Sequence, residues 1–170
     1  VIALGGNALQ SKDSAPTAQA QLEVVRQTAA HIAEISRRGY EMAIVHGNGP
    51  QVGMIANAMA ELTRSNPQKY VPCPLSVCGA MSQGYIGYHL QQSLQNELRK
   101  RGMTKDVATI VTQIVVDPAD TAFQNPTKPI GAFYTKEEAD SIAEDKGYIF
   151  KEDAGRGWRQ VVPSPTPKRI

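Results

Sequence analysis

Met42-Ala43-Ile44-Val45-His46-Gly47-Asn48-Gly49-Pro50 passes from a short apolar run into a glycine-asparagine turn closed by a proline. The run Met42 to Val45 predicts a short buried strand. Gly47-Asn48-Gly49 breaks it, and Pro50 suits the first position of a helix predicted over about Gln51 to Thr63. The same grammar stands at the start of the chain. Val1-Ile2-Ala3-Leu4 predicts a buried strand, and Gly5-Gly6-Asn7 a turn that needs backbone freedom. Between the two turns, Leu22, Val25, Ala29, Ile32 and Ile35 recur at steps of three and four. They predict a helix over about 18–38, with Arg37 and Arg38 in its last turn and Gly39 just past its end.

Further along, Asn66 to Pro74 carries three prolines and reads as a loop. A long helix is predicted from about Val77 to Arg101, ending at Gly102, and a ten-residue strand from Val107 to Val116. Strands alternating with helices in this order point to an α/β fold with a parallel sheet covered on both faces. After Val116 the composition shifts: residues 117–167 hold six of the eleven prolines. A short helix over Glu137 to Asp145, strands at Tyr148 to Phe150 and Trp158 to Val162, and a turn at Gly155-Arg156-Gly157 predict a small protruding subdomain. The expected organisation is an N-terminal α/β domain over 1–116, a lid-like subdomain over 117–165, and the start of a return to the main domain at 166–170.

The 170 residues are 41% hydrophobic and 20% charged, with a net charge of +2. A core is available, and no basic field exists to hold nucleic acid or an anionic membrane. No apolar run is long enough to span a bilayer. Two cysteines, Cys73 and Cys78, make no disulfide framework and point to a reducing, cytoplasmic setting. The opening run predicts a strand rather than a secretory leader. Val1 stands where a Met would, and Pro163 to Ile170 leads into a fresh apolar residue, so both ends read as cut.

Chemistry points first to the two glycine-asparagine loops, each after a buried strand. In open parallel sheets ligands bind beyond the carboxyl ends of the strands. Glycine there admits close backbone approach, and successive N–H groups ahead of a helix make an anion site. One such loop reads equally well as an ordinary tight turn; two on neighbouring strands favour a ligand. Neither loop matches the P-loop, and Val52 stands where the dinucleotide fingerprint needs its third glycine, with Gly53 one residue late. The second signal is Asn125-Pro126-Thr127-Lys128-Pro129-Ile130-Gly131. A lysine in a stiffened backbone can be aimed at a phosphoryl group, although most lysines in proline-rich loops are solvated surface charges. His31 and His46 read as structural, Arg156 and Arg159 with Glu152 and Asp153 as a surface ion-pair set. Gly79 to Gly84 suggests close packing against a neighbour or ligand. No nucleophile-base pair or metal set stands out.

Together these segments resemble the carbamate kinases, within the wider amino-acid kinase fold. The resemblance lies in Ala3 to Leu9, His46 to Gly53, Gly79 to Gly84, Val111-Thr112-Gln113, Asp117 to Gly131, Glu152 to Arg159 and Val161 to Pro165, all in family order. It implies a three-layer α/β/α sandwich with a mainly parallel sheet, here incomplete. It implies reversible phosphoryl transfer between ATP and carbamate, with magnesium, in a cytoplasmic homodimer serving arginine and related nitrogen catabolism. It implies that Gly5, Gly6, Asn7, Gly47, Asn48 and Gly49 hold the small-molecule substrate and the transferring phosphoryl group, and that Lys128 is catalytic. No residue is assigned to a metal. The family's nucleotide half is expected to be missing from these residues, so the chain alone is expected to be inactive. Two other readings stay open: an inactive homologue serving as a dimerisation or regulatory module, and a kinase of the same fold with another acceptor.

Overall fold

The structure is a computed structural model that describes residues 1–5, 8–9 and 17–169. Gly6 and Asn7, two of the predicted loop residues, lie outside the described residues. The chain divides into two compact units, Val1–Asn48 with Ala80–Val111, and Gly49–Gly79 with Thr112–Ile170.

In the first unit, strand β1 (Ile2–Leu4) pairs in parallel with β2 (Ile44–His46), Ile2 opposite Ile44 and Leu4 opposite His46. Helix α1 (Ala18–Arg37) is opened by Thr17, whose hydroxyl accepts from the Ala20 N–H at 3.2 Å. It closes on Gly39, whose φ of +94° suits the left-handed end position and whose N–H donates to the Ser36 carbonyl. Val25, Ala29, Ile32 and Ala33 form its buried stripe. The stripe packs on Ile86, Leu90, Leu94 and Leu98, one residue per turn of α3 (Leu75–Lys100), together with Leu4 and Leu9.

The predicted strand over 107–116 is realised only at its end, β3 (Val115–Val116). The cause is on α3. Gln95 donates to the Lys105 carbonyl at 2.9 Å and accepts the Val107 N–H at 3.0 Å, and Gln91 accepts from the Thr109 hydroxyl at 2.8 Å. Glutamine side chains thus fasten Lys105, Val107 and Thr109 to α3. Gly87 admits the close approach, since a Cβ there would stand 2.2 Å from the Thr109 methyl.

The second unit contains α2 (Gly49–Ser65), β4 (Lys128–Tyr134), α4 (Lys136–Lys146), β5 (Ile149–Glu152), β6 (Trp158–Val162) and β7 (Pro167–Arg169). Strands β4, β6 and β5 make an antiparallel sheet in that order, and β7 pairs with β3. The lysine-proline segment, read as a stiff loop, is strand β4. It lies at the sheet edge, where a proline is tolerated because its missing N–H is not needed. Helix α4 carries a full capping box, Thr135 with Glu138, and ends at Gly147 with φ +67°. Asp117 pairs with Lys168 at 2.7 Å, and Asp120 accepts the Thr166 N–H at 3.0 Å. These bonds tie the two ends of the 117–168 excursion together. Val52, Cys78 and Ile130 form the small core of this unit, with Ile55, Met59 and Val162 against it.

Candidate active site

Because β1 and β2 are parallel neighbours, Gly5 and Gly47 leave the sheet at the same edge, and the Gly47 N–H donates to the Leu4 carbonyl at 3.1 Å. The turn at Gly5 and Gly47 does not require glycine for its own sake. Neither glycine has a positive φ, and among the described residues nothing lies within 4 Å of where a Cβ would stand on either. Backbone freedom is therefore not what holds glycine at these two positions. Bare backbone facing open space at strand ends is what a ligand approaching the chain would require.

Asn48 is spent partly on structure. Its amide donates to the Ser82 hydroxyl at 2.8 Å, and Ser82 is fully buried near the start of α3. Gly79 and Gly84, read as close-packing positions, have nothing within 4 Å of where a Cβ would stand among the described residues. His46 lies half-buried with Nδ1 3.1 Å from the Gly47 carbonyl, and His31 is exposed in mid-helix. Among the described residues neither meets a catalytic partner.

In the second unit Gly49 is the first residue of α2. The opening N–H groups of a helix have no intrahelical acceptor, and the helix dipole makes that end positive. No acidic side chain stands in the first turn of α2 to neutralise it. Against that turn lies the start of β4: a Cβ on Gly49 would be 3.6 Å from the Pro129 carbonyl oxygen and 3.9 Å from Arg159 Nη2. Lys128, adjacent to Pro129, is exposed and has no ion-pair partner among the described residues. The structure thus brings the Lys128 segment to Gly49, while Gly5, Gly47 and Asn48 belong to the other unit.

Arg159 is not the surface charge expected from the sequence. Its side chain is 13% exposed, and it donates to Asp153 at 3.2 Å and to the Gly131 carbonyl at 3.1 Å. Arg156 does pair with Asp153 near the surface, at 2.9 Å. Arg156 and then Arg159 hold the Asp153 carboxyl below the usual range, so it stays charged and keeps Arg159 in place. Sequence reading passed over Arg159, Gly53 and Gly131 as a site group. The available signal was that all three fall inside segments already singled out.

Cys73 and Cys78 are free thiols with Sγ atoms 3.8 Å apart, and burial pushes the Cys78 thiol up, away from reactivity. No three His, Cys, Asp or Glu side chains converge as a metal set among the described residues. No helix among them is long and apolar enough to cross a membrane.

The profile of the amino acid kinase family matches residues 1–143. The carbamate kinase of Pyrococcus horikoshii is 57% identical over 169 residues, covering 99% of this chain and 53% of that protein. The carbamate kinase of Clostridium perfringens is 56% identical over 170 residues, covering 100% of this chain and 54% of its own length. Among solved structures, the carbamate kinase from Giardia lamblia bound to citric acid matches with a TM-score of 0.91 at 46% identity, covering 99% of this chain and 53% of that one. The chain spans about half the length of the curated relatives it matches.

Proposed function

The chain belongs to the amino acid kinase family, and on that premise we propose that it forms the carbamate-binding and phosphoryl-binding half of a carbamate kinase. The reaction is ATP plus carbamate to ADP plus carbamoyl phosphate, in either direction. A carbamate oxygen attacks the terminal phosphorus of ATP, the bond from phosphorus to the ADP oxygen breaks, and its electron pair stays on ADP. Carbamate is already an oxyanion, so no general base is needed. The work left to the protein is to hold two anions together in line.

One observation carries the reading: the Lys128 segment lies against the N-terminus of α2 at Gly49, where no acidic side chain stands in the first turn. A positive helix end with a lysine-bearing strand against it suits an anion. We assign the contacts to the phosphoryl group and carbamoyl end to the backbone at Gly49 and the charge of Lys128, and, on the resemblance alone, to Gly5, Gly6, Asn7, Gly47 and Asn48. Lys128 neutralises charge that develops as the phosphoryl group moves. The citric acid held by the Giardia lamblia protein is likewise a carboxylate anion. Residues 117–165, which carry Lys128, serve as the lid of this site. Magnesium would supply charge neutralisation on the nucleotide phosphates. The adenine site lies outside these residues. On the same resemblance the whole protein is a cytoplasmic homodimer.

The test is Lys128→Ala in the complete protein that carries this chain, assayed by ATP formation from carbamoyl phosphate and ADP. Losing one preorganised charge-stabilising group lowers kcat by about a hundredfold or more. Unchanged turnover removes Lys128 from the mechanism.

A further inference from the structure

Helix α2 and strand β4 touch along one stripe. Gly49, Gly53 and Asn57 are spaced four residues apart and so share a face of α2. They meet Pro129, Gly131 and Tyr134 in turn. A Cβ on Gly49 would be 3.6 Å from the Pro129 oxygen, a Cβ on Gly53 would be 2.1 Å from Gly131 Cα, and Asn57 donates to the Tyr134 hydroxyl at 3.2 Å. At the middle contact no side chain can intervene. Gly53 is buried, although glycine is a poor helix former. Gly131 has φ +72°, which only glycine adopts readily, and it falls where the β4 register shifts between Ile130 and Tyr134. The bulge bends the strand onto the helix, and Arg159 fixes it there by donating to the Gly131 carbonyl with the Phe133 ring 5.0 Å away.

We propose that Gly53 and Gly131, secured by Arg159, are positioning residues that set Lys128 against the first turn of α2. This rests on the reading that Lys128 acts on the phosphoryl group. Lys128 lies three residues before Gly131 on the same strand, so the spacing of helix and strand at the glycine pair fixes the start of β4 relative to the helix N-terminus. A methyl group at Gly53 must move from 2.1 Å to an ordinary contact of about 3.6 Å, opening the joint by about 1.5 Å. Misplacing a catalytic group by about 1 Å costs on the order of a hundredfold in rate.

The experiment is a double-mutant cycle in the complete protein, with Gly53→Ala and Lys128→Ala alone and together, reading kcat and KM for carbamoyl phosphate and ADP. Gly53→Ala should lower kcat about a hundredfold with a much smaller change in KM. In the Lys128→Ala background the same change should cost less than about threefold, because there is no lysine left to misplace. Equal losses in both backgrounds, or an unaffected kcat in Gly53→Ala beside a lowered one in Lys128→Ala, would overturn the joint alone. Unchanged turnover in Lys128→Ala would overturn the parent reading and the joint with it. If Gly53→Ala does not fold, Arg159→Lys decides by the same cycle, since it keeps the charge but loses the two-armed grip on Gly131 and Asp153.

Discussion

Gly47→Ala separates what the fold needs from what a ligand needs. The residue follows β2, has no positive φ, and among the described residues has nothing within 4 Å of where an alanine methyl would stand. The fold therefore accepts alanine without strain. Replacing a glycine whose conformation alanine can adopt stabilises a protein by about 0.4–1 kcal/mol, by narrowing the unfolded ensemble. In a protein about twice this length, as the relatives are, that raises Tm by roughly 0.5–1.5 °C. On the assignment of Gly47 to the ligand, the same methyl displaces the carbamoyl phosphate by about 1 Å and lowers kcat/KM by about a hundredfold. The assay pairs thermal unfolding with initial rates of ATP formation in the complete protein. A variant both stabilised and fully active would refute this reasoning, because the open space over Gly47 would then have nothing to do with the ligand.

Two further outcomes test the first unit. His89 is buried between the rings of Tyr85 and Tyr88, with neither ring nitrogen hydrogen-bonded among the described residues, and burial lowers its pKa. The unfolded chain therefore takes up the proton first: stability is complete above the ordinary value of about 6.5 and declines as the pH falls through it. His89→Leu should add about 1 kcal/mol at neutral pH and flatten the loss of stability between roughly pH 7 and 5, measured by urea unfolding as the difference from wild type; an unchanged pH profile would count against it. Leu94→Ala, in the α1–α3 core, should cost about 2–5 kcal/mol in the same assay, and a loss under about 1 kcal/mol would mean that this core is not what stabilises the unit.

The long helices were legible because their signals are local. The stripe of α1, its Gly39 stop and the end of α3 before Gly102 follow from periodicity and end chemistry, and β6 spans Trp158–Val162 as read. Pairing was not legible, because it depends on what the rest of the chain brings alongside. Val107 to Ile114 has strand composition, yet Gln91 and Gln95 hold its first part against α3. Pro129 read as a loop breaker until the sheet order put β4 at an edge. Of the candidate site, the glycine loops and Lys128 stood out by type and spacing. The glycine pair of Gly53 and Gly131 did not, since a backbone-to-backbone contact between distant residues leaves no mark in local sequence.

The most direct measurement of the central claim is a crystal structure of the complete protein with carbamoyl phosphate. The phosphoryl oxygens should lie within about 3 Å of backbone N–H groups in the first turn of α2 and of Lys128 Nζ. A phosphoryl group bound elsewhere, or one held at α2 with Lys128 turned away to solvent in the closed complex, would contradict the claim.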